Sequence, residues 1–129
     1  MPRPASQHPS WEDGVDDPAV AQTNRISRNR MLRFEITNQS RHWTLVPDGE
    51  IDLSNADVLE QAIRQVEASA AETITIDLRR MRFIDLSGVR AIVDDDARLE
   101  GWLRLIKGPA AVQSVFHLTG AEAALPFEG

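Results

Sequence analysis

Met81-Arg82-Phe83-Ile84-Asp85-Leu86-Ser87-Gly88-Val89-Arg90 is the stretch on which the reading of this chain turns. An apolar segment delivers Asp85 to the end of one element, and Ser87-Gly88 opens a helix. That helix is predicted to start near Ser87, to bury Val89, Ile92, Val93 and Leu99, and to end at Gly101. A strand-to-helix junction gathers free backbone N–H groups and the positive end of the helix dipole. On the residues alone the preferred reading is capping by Asp85 or Ser87, worth about 1 kcal/mol.

Upstream, Ile74, Ile76 and Leu78 alternate within Thr73 to Leu78, which predicts a strand. Before it, Leu59, Ala62, Ile63 and Val66 recur at helical spacing. Ser54 and Asp57 form a capping-box-like start to that helix, with Leu53 and Val58 at the two staple positions. Leu32, Phe34 and Ile36 alternate with Arg33, Glu35 and Thr37, Asn38-Gln39-Ser40 supplies turn chemistry, and Arg41 to Val46 resumes. This pair reads as a hairpin. Downstream, Trp102 to Ile106 is a strand, and Gly108-Pro109 precedes a helix carrying Val112, Val115, Phe116 and Thr119 on one face, closed by Gly120. Leu125-Pro126-Phe127 packs as a short extended end. The order is β-β-α-β-α-β-α. Right-handed crossovers then give an α/β fold: a mixed sheet of at least four strands with helices packed on one face and the other face partly exposed.

The chain has 129 residues, 42% hydrophobic and 26% charged, which suits one globular domain. Residues 1–30 differ. They hold Pro2, Pro4, Pro9 and Pro18, scattered apolar residues among which only Trp11 is large, and charges that cancel. We read them as a flexible N-terminal tail and residues 31–129 as the domain. The domain therefore carries the net charge of −6. With no cysteine, disulfides, thiolate zinc sites and thiol catalysis are excluded. The acidic balance argues against nucleic-acid binding, which needs clustered Lys and Arg; Lys107 is the sole lysine. No apolar run approaches the roughly 18 residues of a membrane span, and no signal-peptide core is visible. The expectation is a cytoplasmic protein without membrane insertion.

Asp94-Asp95-Asp96 invites a metal reading, but three successive helical residues sweep about 200° and their carboxylates cannot converge. They read as a solvated acidic face. His8, His42 and His117 fall on separate elements without acidic partners at ligand spacing, and each glycine stands alone rather than in a phosphate loop. Arg79, Arg80 and Arg82 form the one basic cluster, an edge-charge or partner-contact patch. No nucleophile–base pair can be named. The expectation is a non-enzyme without cofactor or metal.

Four segments together resemble a known family: Gly49-Glu50-Ile51-Asp52-Leu53, Ile76-Asp77-Leu78, Phe83-Ile84-Asp85-Leu86-Ser87-Gly88-Val89, and Pro109-Ala110-Ala111-Val112-Gln113-Ser114-Val115-Phe116-His117-Leu118-Thr119-Gly120. In this order and spacing, from Leu32 to Phe127, the chain is similar to a STAS domain of the bacterial anti-sigma factor antagonist type. The resemblance implies a mixed sheet with helices on one side and a protein-binding switch. Its partner would be an anti-sigma factor of the serine-kinase type, whose capture releases a sigma factor. In the family that kinase phosphorylates a Ser or Thr directly after the motif aspartate, and the added charge of about −1.5 to −2 opposes docking.

Here the position after Asp85 is Leu86, which accepts no phosphate. Ser87, one place later, is the sole candidate phosphorylation site in the loop. The readings are phosphorylation of Ser87, a permanently active antagonist, or a plain interaction module. The last two together outweigh the first, because a one-residue displacement at a helix start rotates a side chain by about 100°. The partner-binding residues implied are Asp52, Asp85, Leu86, Ser87, Gly88 and Val89, with Leu86 and Val89 as the apolar centre. Asp52, together with Glu50, is equally a solvated acid near a helix N-terminus. Alternatives are a STAS subunit of a membrane transport ATPase assembly, or a small-ligand or nucleotide sensor at the Asp85 junction. Homodimerisation is compatible with the sequence.

Overall fold

The computed structural model describes residues 21–24 and 32–128. In chain order the elements are β1 (Ala21–Asn24), β2 (Leu32–Gln39), β3 (His42–Ile51), α1 (Ala56–Glu67), β4 (Thr73–Asp77), a 3₁₀ turn (Leu78–Arg80), β5 (Met81–Ile84), α2 (Leu86–Leu99), β6 (Leu103–Ile106), α3 (Ala110–Leu118), α4 (Ala121–Ala124) and β7 (Phe127–Glu128). They build one mixed sheet in the order β1-β2-β3-β4-β6-β7, with β5 also pairing with β3. The β1–β2 and β2–β3 pairs are antiparallel, and the rest are parallel.

The predicted hairpin is β2–β3. Gln39 pairs with His42, so the loop is only Ser40-Arg41, both in the left-handed region (φ 53 and 71). Positive φ at both loop positions matches the right-handed twist of the flanking strands. Asn38 Oδ1 accepts the Arg41 N–H at 3.0 Å and holds the turn. β3 is long because it serves two partners. Residues 42–45 pair with β4, whereas Gly49 to Ile51 pair with β5, with a register shift at Gly49/Glu50. Gly49, at φ 130, takes the backbone conformation that such a break needs.

Buried side chains alternate along β2 (Leu32, Phe34, Ile36) and β4 (Ile74, Ile76), and the residues between them are more exposed. Val58, Leu59, Ala62, Ile63 and Val66 of α1, Val89 and Ile92 of α2, and Val112 and Phe116 of α3 join the same core. Phe116 meets Phe127 edge-on at 5.2 Å between ring centroids, which seats β7 beside β6.

Several expectations need correction. Ala21–Asn24 lies within the predicted tail but forms strand β1 along β2, where backbone pairing substitutes for apolar periodicity; residues 1–20 and 25–31 lie outside the described residues. Phe83-Ile84 belongs to a separate strand, β5, that sequence periodicity could not resolve in four residues. α1 starts after Asn55, not Ser54, and no staple forms, because Leu53 is 82% exposed while Val58 is 1% exposed. In α2, Val93 is exposed and Asp95 is fully buried in its place. The acidic run is thus not a solvated face throughout: only Asp94 and Asp96 lie toward solvent.

Candidate functional site

The site is built where β3 and β5 end side by side. Ile51 pairs with Ile84, and the Asp85 N–H donates to Ile51 O at 3.1 Å, so the loop entering α1 and the loop entering α2 start from adjoining backbone.

In the first loop, Asp52 Oδ1 accepts both the backbone N–H (2.9 Å) and the hydroxyl (2.6 Å) of Ser54. The Ser54 hydroxyl, then its N–H, hold the Asp52 carboxyl below the usual carboxylate range. Asn55, only 1% exposed, accepts the Asp52 N–H at its Oδ1 (2.9 Å) and donates from Nδ2 to Glu50 O (3.0 Å). This buried amide fixes the loop and leaves Leu53 projecting. Neither Asn55 nor Leu53 was singled out for the site by sequence; an Asn just before a helical run is the signal that was available.

In the second loop, Asp85 is the N-cap of α2. Its Oδ1 accepts the N–H groups of Ser87 (2.9 Å) and Gly88 (3.3 Å). The capping reading therefore holds in the structure, and it sets the phase of the next residues. Leu86 is 55% exposed, Ser87 is half-buried, and Gly88 and Val89 turn inward. Gly88 lets α2 lie directly on the strands: a Cβ there would stand 2.6 Å from Ile84 Cγ1 and 2.8 Å from Ile51 Cγ2. Gly88 and Val89 are thus corrected from contact residues to packing residues. Val89 is 3% exposed and cannot form the apolar centre of a surface contact. The large apolar side chains left exposed on these segments are instead Leu86, Leu53 (82%) and Phe83 (47%), on the two loops and on β5.

Beside Ser87, the N-terminal halves of α1 and α2 flank an open groove of about 230 Å³, lined by Ala56, Asp57, Glu60, Ser87, Arg90, Ala91 and Asp94. Its acids outnumber its one cation, Arg90.

The basic cluster is neutralised locally. Arg79 pairs with Asp77 at the end of β4 (2.8 Å), whereas Arg80 with Glu35 (3.1 Å) and Arg82 with Asp48 (3.5 Å) lace the segment before β5 and β5 itself to β2 and β3. Burial opposes ionisation of Asp77, but the Arg79 side chain and N–H outweigh it and hold the carboxyl below its ordinary range. Among the described residues no group of three or more His, Asp or Glu side chains is placed to hold a metal, and no helix is long and apolar enough to cross a membrane.

The family described as "Mlab, STAS domain" matches residues 34–126. Among solved structures, an anti-sigma factor antagonist from Mycobacterium paratuberculosis superposes with a TM-score of 0.68 at 23% identity, covering 82% of this chain and 89% of that one. The anti-sigma factor antagonist SpoIIAA in its unphosphorylated form gives 0.61 at 21% identity, covering 74% and 88%. At such identities the likeness is one of fold. No curated protein sequence matches the chain. Because the family match runs from β2 to the residue before β7, through both loops of the site, the chain belongs to the STAS domain family.

Proposed function

We propose that this chain is a non-enzymatic, cytoplasmic protein-binding regulator of the anti-sigma factor antagonist type. It captures an anti-sigma factor of the serine-kinase type so that a sigma factor is released. The observation that carries this reading is the exposure of Leu86 directly after the Asp85 cap, with Leu53 and Phe83 also exposed on the adjoining loop and strand. A large apolar side chain held in solvent at a capped, rigid helix start is suited to anchor a partner contact. A nucleotide sensor at this junction is disfavoured by the groove: at about 230 Å³ it lies below the roughly 300–1,000 Å³ of small-molecule sites. Asp57, Glu60 and Asp94 also repel phosphates there.

The same acids bear on regulation. A phosphate on Ser87 would face Asp57, Glu60 and Asp94 with only Arg90 in support, and Asp85 already holds the Ser87 and Gly88 N–H groups. The antagonist therefore works without the usual phospho-switch.

The test is affinity capture of the tagged protein from its native lysate, identification by mass spectrometry, and titration of the recovered partner with wild type and Leu86→Asp. A kinase-type anti-sigma factor that binds wild type and loses the variant supports the proposal. A transport ATPase in its place overturns it.

A further inference from the structure

Asp95 is the one described carboxylate whose side chain is fully buried. It sits in the third turn of α2. Its Oδ1 accepts from Arg98 Nη2 at 3.0 Å, whereas its Oδ2 has no hydrogen-bond partner among the described residues. Arg98 also grips Glu67 of α1 through Nη1, so a single guanidinium ties a buried acid of α2 to a surface acid of α1. Glu60 and Arg64 of α1 also act on Asp95, with opposite signs. On the other elements packed against α2, namely β5, β6 and α3, the buried side chains are apolar: Met81, Ile84, Leu103, Leu105, Val112 and Phe116. Their charged residues Arg82, Arg104 and His117 lie exposed.

A carboxylate with one oxygen unpartnered in such a place is costly as an anion and much less so as the neutral acid. Separating α1 from α2 would hydrate it. The α1–α2 contact is therefore held more firmly when Asp95 carries a proton. These two helices also form both walls of the Ser87 groove.

We propose that Asp95, with Arg98 and Glu67, is a proton-linked latch between α1 and α2: proton uptake tightens the helix pair and its Ser87 groove, and proton loss loosens them. The inference does not depend on the identity of the partner. Burial, opposed mainly by Arg98 and reinforced by Glu60, pushes the Asp95 carboxyl up to about 6, so the latch works across near-neutral pH.

The experiment uses the full chain. The Asp95 carboxyl carbon is titrated by NMR, and amide exchange in α1 and α2 is measured at pH 5 and pH 7.5, corrected for intrinsic rates. With an ordinary carboxyl in the open form and one titrating near 6 in the closed form, protection in α1 and α2 falls by about tenfold over this interval. In Asp95→Asn the fall disappears. Titration of Asp95 in the ordinary carboxylate range overturns the proposal, as does unchanged wild-type protection or an equal fall in Asp95→Asn. The wild-type titration decides the matter even if the variant does not fold.

Discussion

Replacing Gly88 with alanine tests how the site is seated. The added methyl would stand 2.6 Å from Ile84 Cγ1, 2.8 Å from Ile51 Cγ2 and 3.0 Å from Ile84 Cδ1, all closer than ordinary carbon contacts. The nearest atoms belong to β-branched side chains at their first branch, which cannot swing away as a flexible chain end would. Either α2 lifts from β3 and β5 or both isoleucines leave their rotamers. Overpacking of this kind costs ~1–3 kcal/mol. Exchange of glycine for alanine in a helix returns at most ~1 kcal/mol, and less in a first turn. The net expectation is destabilisation by about 1–2 kcal/mol, read as a lower urea midpoint with an unchanged m-value. Partner affinity should fall as well, because Asp85, Leu86 and Ser87 move with the helix start. Adding Ile84→Ala vacates space beside the new methyl, so the double variant should be more stable than the sum of the two single changes predicts. Gly88→Ala at or above wild-type stability would refute the close-approach reasoning.

Other expectations concern single side chains. Leu86→Asp should leave stability within about 0.5 kcal/mol, since the side chain is 55% exposed, yet weaken partner binding at least tenfold by calorimetry. Asp95 has its folded pKa raised to about 6, so its contribution to stability is complete below the unfolded value near 3.9 and is lost as pH rises through 6. Urea midpoints for wild type should accordingly drop over that interval by up to about 3 kcal/mol in free energy, whereas Asp95→Asn shows no such drop. Asp77 has the opposite sign: held low mainly by Arg79 against burial, it adds stability above its unfolded value and loses it as pH falls through the folded one. Arg79→Ala should therefore lower the urea midpoint at neutral pH, with the difference shrinking in acid. Incubation with the kinase partner and ATP should leave the intact mass unchanged by electrospray; a gain of one phosphate at Ser87 would overturn the phosphate-free reading.

Where one face of an element is buried and several residues long, the sequence was a sufficient guide. The alternation of Leu32, Phe34 and Ile36 and the helical spacing of Leu59, Ala62, Ile63 and Val66 both appear in the core. Strand β5 was not resolved because four residues hold too few periods, and β1 because its place depends on pairing with β2. At the site, Asp85 as cap follows from local chemistry alone, and the cap fixes which way Leu86 and Val89 point. The exposure of Leu53 depends on Asn55 reaching back to Glu50, a contact between loop and strand that spacing does not encode. Asp95 was misread because neighbouring acids suggest solvent, whereas helical phase places it between Ile92 and Leu99 on the buried stripe.

Strand β1 has a practical consequence. It covers Phe34 to Thr37 of β2, the backbone that would otherwise be the open margin of the sheet. Trimming the chain at residue 30, where composition suggests a cut, would remove this cover and bare a row of donors and acceptors able to zip onto a second molecule. A shortened preparation would therefore be open to self-association through β2 that β1 blocks in the longer chain.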